Sequence, residues 1–133
     1  MIAVDTSSLI AYLSGSDGPD VDATGLALEH RQAALPPVVL SELLSDPAIT
    51  RDVRELFIQL PLLDVVDGYW ERAGLLRAKT IASGRKARLA DVLVAQSCLD
   101  HGVPLVTRDA DFQHLARASG LRAGPRPRPP PRR

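Results

Sequence analysis

The chain has 133 residues, 45% of them hydrophobic, and its formal net charge is zero. This length and composition are typical of one soluble globular domain, and no stretch approaches the roughly 18 apolar residues of a membrane span. The apolar N-terminal segment carries Asp5 and has no basic residues before it, so we do not expect a secretory signal. A single cysteine, Cys98, offers no disulfide framework. We therefore expect a cytoplasmic protein without membrane contact.

Charge is distributed unevenly along the chain. Residues 122–133 hold five basic residues and no acid, which leaves 11 basic and 16 acidic residues in residues 1–121, a net charge of −5. Such a body does not attract nucleic acid through bulk charge, so a nucleic-acid role requires a local site. We predict one domain over residues 1–121 and a disordered Pro- and Arg-rich tail over 122–133. The tail is either a solvated extension or a weak electrostatic handle for RNA or a partner.

Apolar runs alternate with amphipathic segments along the predicted domain. In chain order the pattern predicts a strand at 2–5, a helix at 6–15, a polar loop at 16–22, a helix at 23–33, a short strand at 33–35, helices at 36–46 and 48–60, a strand at 61–66, helices at 68–84 and 89–102, a strand at 103–107, a helix at 111–120 and an edge strand at Leu121. Strands joined by helical crossovers indicate an α/β domain, with a central parallel sheet of about five strands and helices on both faces.

Several acids lie at positions where a binding site is expected. Asp5 follows the first strand, and Asp109 and Asp111 follow the strand at 103–107. In open α/β sheets ligands bind outside this carboxyl edge. Glu42 and Asp91 lie on predicted helices among apolar neighbours.

Asp91 is predicted to face inward. Val94, Ala95 and Cys98 follow it at spacings of three, four and seven residues, so all four share one helix face. Arg88, three residues before it, is the available ion-pair partner along the helix.

Each acid also has an explanation that involves no ligand. Asp91 could favour a helix N-terminus and Glu42 could be solvated. Asp109 could be the N-cap of the last helix and Asp111 an acid of its first turn; alternatively, Asp111 at the helix entrance could cap the free amides or hold a metal-bound water. Asp5 is harder to explain, because no capping box follows it. A bound cation would explain all of these acids at once. Two carboxylates about 4 Å apart repel each other by roughly 4 kcal/mol at an effective dielectric of about 20, and a divalent ion between them removes that repulsion. An all-oxygen set favours Mg²⁺ or Mn²⁺ over zinc.

Four segments, "AVDTSSLI", "LSELL", "LADVLVAQ" and "LVTRDADF", carry these acids. In order and spacing they resemble the motifs of the PIN-domain ribonucleases, in particular the VapC-type toxins of bacterial toxin–antitoxin modules. The resemblance covers residues 1 to about 121. It implies a three-layer PIN-like domain with a five-stranded parallel sheet, and a magnesium-dependent endoribonuclease that cleaves RNA phosphodiester bonds and is neutralised by a cognate antitoxin.

The same resemblance implies roles for individual residues. The catalytic quartet would be Asp5, Glu42, Asp91 and Asp109, and Mg²⁺, replaceable by Mn²⁺, would be held by Asp5, Asp91 and Asp109. Accessory roles fall to one acid and three hydroxyls: Asp111, Thr6, Ser7 and Thr107. The chain departs from the family pattern in its basic tail and at Gln96, where relatives more often carry a small residue.

Two other classes of protein remain as alternatives. A receiver-like magnesium-binding signalling module would carry adjacent acids after the first strand and a lysine after the last, whereas this chain has Asp5 followed by Thr6, and Arg108. A non-catalytic binding scaffold with a degenerate site is disfavoured because all four acids are present.

Histidine and cysteine chemistry is not indicated. Metal-free cleavage of RNA would need a pair of well-placed imidazoles, whereas His30, His101 and His114 lie in separate segments and are predicted to be structural or surface residues. Cys98 has no adjacent histidine motif and is predicted to be a buried thiol.

The two predicted helices in residues 37–60 have a surplus of apolar side chains. These are Leu43, Leu44, Ile49, Leu56, Phe57 and Ile58. One stripe must pack on the sheet, and the remainder either joins the core or forms a groove for an antitoxin segment or a homodimer partner.

Overall fold

A four-stranded parallel sheet lies at the centre of the computed structural model, which describes residues 1–125. Its strands are β1 (Ile2–Val4), β2 (Ala33–Ala34), β3 (Leu105–Val106) and β4 (Ala123–Gly124), in the spatial order β2-β1-β3-β4. All three strand pairs are parallel. This confirms the predicted α/β class, because parallel neighbours need crossover connections, and helices provide them here.

Seven helices flank the sheet within residues 1–125. They are α1 (Thr6–Leu13), α2 (Pro19–Glu29), α3 (Pro37–Leu44), α4 (Arg51–Gln59), α5 (Tyr69–Ala82), α6 (Leu89–His101) and α7 (Phe112–Ser119). Every helix predicted from the sequence is present. The start of the second one was predicted wrongly: α2 begins at Pro19 rather than at residue 23, because proline is preorganised for a first helical position and Asp20 and Asp22 favour the first turn.

The strand predicted at 61–66 is absent from the sheet. Only an isolated bridge between Leu35 and Leu62 forms there, so the sheet has four strands instead of about five. The backbone hydrogen bonds end at Leu63, and the carbonyl of Asp64 instead contacts the imidazole of His101 at 2.7 Å. Pairing ends because the neighbouring segment leaves the sheet after Leu35: Pro36 has no amide hydrogen to donate, and α3 begins at Pro37.

The edge strand lies further along the chain than predicted. It forms at Ala123–Gly124, whereas Leu121, the predicted position, is a buried core residue. The strand falls inside the segment predicted as a disordered tail, so order extends past the predicted boundary at residue 121. The rest of that segment, residues 126–133, lies outside the described residues, and its disorder stays a prediction.

The core holds the site-bearing elements against the sheet. Leu9 of α1, Val39 of α3, Val92 of α6 and Phe112 of α7 are at most 1% exposed. Each such side chain stabilises the fold by roughly 1.5–3 kcal/mol relative to an exposed one. In residues 1–125 no helix is long and apolar enough to cross a membrane.

Candidate active site

The carboxyl edge of the sheet brings together residues from both ends of the chain. Asp5 directly follows β1, and Thr107 and Asp109 follow β3, the strand paired with β1. The amide of Asp5 donates to the carbonyl of Val106 at 2.9 Å, so the two strands stay paired up to the point where the chain leaves the sheet. Asp5 and Asp109 therefore lie at the edge where the sequence predicts a site.

Two hydroxyl groups hold the buried carboxylate of Asp5. Ser7 Oγ donates to Oδ2 at 2.8 Å and Thr107 Oγ1 donates to the same oxygen at 2.9 Å. Each hydroxyl also accepts a backbone amide, Ser7 from Arg108 at 3.4 Å and Thr107 from Asp109 at 3.0 Å. Because these amides supply protons to both hydroxyls, the hydroxyl protons are directed at Asp5. Neither bond uses Oδ1 of Asp5, which is therefore available to another ligand.

Glu42 is exposed on α3, and its side chain contacts α1. Thr6 Oγ1 donates to Oε1 of Glu42 at 3.0 Å. The three hydroxyls predicted as accessory groups therefore divide between two acids, since Ser7 and Thr107 bind Asp5 while Thr6 binds Glu42.

Asp91 lies in the first turn of α6 and is half-buried. Its neighbours on the same helix face, Val94, Ala95 and Cys98, are at most 1% exposed. The inward orientation predicted from the helical spacing is confirmed.

The charge of Asp91 is disfavoured in the folded chain. Burial, followed by the negative charges of Asp109 and Asp5, raises the pKa of Asp91 to about 6, while Arg88 opposes this rise and Glu42 adds a little to it. All three other acids of the predicted quartet therefore lie close enough to act on Asp91 electrostatically. Four segments that are distant in sequence contribute these four acids.

Asp109 and Asp111 have different roles in the turn that enters α7. Oδ1 of Asp109 accepts the amide of Asp111 at 2.9 Å, which forms an Asx turn. Asp111 Oδ2 lies 3.2 Å from Nζ of Lys86 and makes no capping hydrogen bond to α7. The expectation that Asp111 caps α7 through its side chain was wrong. Its backbone is already helical, with φ −62° and ψ −24°, whereas a capping side chain requires an extended backbone.

The quartet acids have no cationic partner within 4.0 Å among residues 1–125. The acids that form ion pairs there are Asp20, Asp100 and Asp111. An unpaired set of carboxylates has the donor chemistry of a site for Mg²⁺ or Mn²⁺. In the same part of the chain no three His, Cys, Asp or Glu side chains converge tightly enough to hold an ion by themselves. The site thus offers suitable oxygen donors without a preformed cage of three acids.

An ion pair beside the site, between the buried Asp20 and the partly exposed Arg108, is not predicted by the sequence pattern. Arg108 donates from Nε to Oδ2 of Asp20 at 2.8 Å and from Nη2 to Oδ1 at 3.1 Å, and Ser8 Oγ also donates to Oδ2 at 2.8 Å. The bond from Arg108 lowers the pKa of Asp20, against the opposing effect of desolvation. Asp20 had been assigned to the polar loop, and the only available signal was Pro19, which marks a helix start.

The histidines and the cysteine lie in the structural positions predicted for them. His30 is exposed after α2, His101 contacts the carbonyl of Asp64, and His114 is partly buried on α7. Burial raises the pKa of the Cys98 thiol above its ordinary range, as expected of an inert buried thiol.

An apolar groove of 280 Å³ adjoins Glu42 between α1, α3 and α4. Its apolar lining includes Ile10, Leu13, Leu43, Ile49, Val53 and Phe57, and Asp46 joins Glu42 among its acidic residues. Of the residues predicted to form a groove, Leu44, Leu56 and Ile58 do not line this one and are 36%, 38% and 55% exposed. The groove therefore combines part of the predicted helical surface with α1, which the prediction omitted.

Comparison with known proteins identifies the family of the chain. The sequence profile of the PIN domain matches residues 2–118. Ribonuclease VapC11 of Mycobacterium tuberculosis strain H37Rv is 33% identical over 131 residues, with 92% of this chain and 97% of the relative covered. The VapC ribonuclease Mb1587 of Mycobacterium bovis is similar to the same extent, 33% over 131 residues with the same coverage.

Solved structures with the same fold are also found. A chain in the structure of FitAB bound to an IR36 DNA fragment has a TM-score of 0.68 at 18% identity, with 94% of this chain and 95% of that chain covered. A chain of VapBC-5 from Mycobacterium tuberculosis, a member of the VapBC family of toxin–antitoxin systems, has a TM-score of 0.61 at 22% identity, with 92% and 95% covered. At these identities the two structures support the fold, and the profile and the relatives support the family. The chain belongs to the PIN-domain family, and within it to the group of VapC-type proteins.

Proposed function

We propose that this chain is a metal-dependent endoribonuclease and the toxin of a toxin–antitoxin module. The observation that carries the proposal is that Asp5, Glu42 and Asp109 all lie near enough to Asp91 to act on its charge, while none of the four acids has a cationic partner within 4.0 Å in residues 1–125. The names of the relatives, VapC ribonucleases that align over nearly the full chain, support RNA as the substrate.

The donor set suits Mg²⁺, with Mn²⁺ as a substitute. Asp5, Asp91 and Asp109 are the proposed ligands, and Glu42 is the fourth catalytic acid. The absence of a three-acid cage in residues 1–125 is compatible with Mg²⁺, which keeps several waters and commonly takes only one or two protein carboxylates. A bound divalent ion lowers the pKa of water and offsets charge on the phosphate.

The residues around the acids orient them for this role. Ser7 and Thr107 hold Asp5 in one rotamer through Oδ2, and Thr6 holds Glu42. Asp109 is fixed by its bond to the amide of Asp111. Preorganised ligands need less reordering when the ion and the substrate bind, which is how a partly buried cluster of mutually repelling acids can serve catalysis.

The decisive experiment measures cleavage of single-stranded RNA with and without EDTA. We expect cleavage with Mg²⁺ or Mn²⁺, none with EDTA, and a loss of at least about 100-fold in Asp5→Asn, because even indirect partners of metal ligands typically contribute about 10- to 100-fold. Asp52→Asn, which alters an acid on α4, is the matched control and should cleave as the wild type does. Cleavage that persists in EDTA, or a wild-type rate in Asp5→Asn, would contradict the proposal.

We further propose that the groove beside Glu42 receives a segment of the cognate antitoxin. The apolar lining would bury apolar side chains of that segment, and the two acids, Glu42 and Asp46, favour a basic residue near the active site. A homodimer is the other proposed assembly. An RNA substrate and the free thiol of Cys98 fit a cytoplasmic protein.

A further inference from the structure

The acid cluster creates a charge problem for an RNA-cleaving site. An RNA backbone carries one negative charge per phosphate, and residues 1–121 have a net charge of −5. Arg108, the cation next to Asp109 in the sequence, is bound to the buried carboxylate of Asp20. Cationic side chains elsewhere must offset the repulsion if RNA is to approach.

Residues 85–88, here called the basic segment, lie between α5 and α6 and contain three basic residues, Arg85, Lys86 and Arg88. Ala87 between them is only 8% exposed, and its carbonyl accepts from Arg77 Nε at 3.0 Å. Arg88 is extended, with φ −68° and ψ 140°. Lys86 and Arg88, on either side of the buried Ala87, are both exposed, and Arg85 is partly buried. The segment is thus anchored at Ala87 and exposes two of its three cations.

Both cations lie beside acids of the site. Lys86 Nζ is 3.2 Å from Oδ2 of Asp111, with side chains 51% and 34% exposed. Arg88 is the N-cap residue of α6, three residues before Asp91 in the first turn of that helix, and it is exposed. One cation is therefore near the entrance of α7 and the other is near the start of α6.

The contact between Lys86 and Asp111 is suited to exchange. Exposed ion pairs contribute little to stability, so Lys86 loses little when it leaves Asp111 for another anion. A lysine has a long flexible stem and binds phosphate as a point charge, without a fixed geometry.

We propose that the basic segment binds the phosphate backbone of single-stranded RNA at the edge of the active site, with Lys86 moving from Asp111 to a substrate phosphate and Arg88 contacting a neighbouring one. This inference rests on the proposed ribonuclease function for its choice of ligand. Phosphate contacts are independent of base identity, so the segment would raise affinity for RNA without selecting a sequence.

The test measures binding and cleavage separately. Binding of a fluorescently labelled single-stranded RNA of mixed sequence is followed by anisotropy over a range of NaCl concentrations, in an Asp5→Asn background with Mg²⁺, so that the probe stays intact. Lys86→Gln should raise the Kd for RNA on the order of tenfold. The slope of log Kd against log NaCl concentration should also fall by about 0.7, the value expected for the loss of one phosphate contact on a single strand. Arg88→Gln should act in the same direction, and Lys86→Arg should retain most of the affinity.

Two further variants test the direction of the effect and provide a control. Asp111→Asn should lower the Kd, because it removes an anion and releases Lys86. The chain has one other lysine, Lys79, which is exposed on α5, and Lys79→Gln should bind RNA as the background protein does. Equal losses of thermal stability in Lys86→Gln and Asp111→Asn with no change in Kd would identify the pair as a structural tether and overturn the inference.

Cleavage by the chain with Asp5 intact separates this inference from the proposed function. If that protein cleaves RNA while Lys86→Gln and Arg88→Gln keep an unchanged Kd, the assignment of the basic segment is wrong and the ribonuclease proposal stands. If it cleaves no RNA while these variants still weaken RNA binding, the basic segment is an RNA-binding surface and the ribonuclease proposal fails.

Discussion

Asp5 is held by hydroxyl groups rather than by a cation. Ser7 and Thr107 each accept an amide from the loop after β3 and donate to Oδ2 of Asp5, so one network links both central strands to the acid. A neutral partner orients the carboxylate without cancelling its charge. The negative charge of Asp5 can therefore still attract a cation, and it still repels the charged form of Asp91.

The raised pKa of Asp91 predicts a pH-dependent cost to stability. The pKa is about 6 in the folded chain against an ordinary 3.8, so the folded state binds the proton more tightly than the unfolded state. The cost is absent well below pH 3.8, grows between there and about pH 6, and is complete above it. In EDTA at pH 8, we expect Asp91→Asn to be more stable than the wild type by about 1–2 kcal/mol, which is less than the full pKa shift would give because Asp91 is only half-buried.

Thermal unfolding at pH 8 and at pH 4, in EDTA, measures this difference. The advantage of Asp91→Asn should shrink towards zero at pH 4, where Asp91 is largely protonated. Saturating Mn²⁺ should stabilise the wild type at pH 8 and the variant much less, because the ion binds the folded acid cluster and not the unfolded chain. A constant difference at both pH values would mean that packing, and not charge, distinguishes the two proteins.

At the scale of elements, the pair of Asp20 and Arg108 joins the start of α2 to the loop between β3 and α7. Ser8 of α1 binds the same carboxylate, so three elements meet at one buried acid. Gly18 permits this packing: its φ is +145°, and a Cβ there would lie 2.7 Å from Oδ1 of Asp20 and 3.1 Å from Nη2 of Arg108. The loop that carries Asp109 is thereby fixed to the helical layer.

Loss of the Asp20 charge should weaken both the fold and the site. We expect Asp20→Asn to destabilise the chain by roughly 1–3 kcal/mol, because a neutral amide replaces a buried carboxylate that accepts two bonds from Arg108 and one from Ser8. Asp22→Asn, an exposed acid in the same helical turn, is the matched control and should change stability by less than about 0.5 kcal/mol. Denaturant unfolding compares them, and equal effects would show that the helix terminus matters rather than the ion pair.

At the scale of the whole molecule, the apolar groove and the active site are continuous. Glu42 belongs to both, since it lines the groove and accepts from Thr6. A partner seated in the groove would therefore lie against Glu42, a proposed catalytic acid. This arrangement gives a simple physical route from binding of an antitoxin to inhibition, which is occlusion of the acid cluster.

The groove predicts which surface mutations weaken antitoxin binding. Leu13 lines the groove and is 40% exposed, so Leu13→Glu should preserve the fold while placing a charge among apolar contacts. We expect affinity for the co-expressed cognate antitoxin to fall at least about tenfold by calorimetry, as for a disrupted interface anchor. Ile58→Glu, at a residue that is 55% exposed and outside the groove, is the control. A loss in Ile58→Glu alone would place the partner on the other face of α4.

Local patterns in the sequence were enough to predict the helices and to locate the acids of the candidate site. Helical spacing predicted every helix and the inward orientation of Asp91, and short apolar runs ending in acids located Asp5 and Asp109 at the carboxyl edge. These features depend on residues within a few positions of one another, so periodicity and turn chemistry are enough to predict them. The strand predicted at 61–66 shows the limit, since an apolar run forms a strand only where a neighbouring strand remains to pair with it.

Only the tertiary structure decided which side chains meet. Asp20 and Arg108 are 88 residues apart, and Thr107 reaches Asp5 across 102 residues. The pairing of Lys86 with Asp111, and the division of the hydroxyls between Asp5 and Glu42, likewise join separate elements. Such contacts depend on the path of the chain, and many alternative partners of equal charge or polarity are available in one sequence. Chemistry at the site was therefore predictable by residue type, whereas its hydrogen-bond partners required the fold.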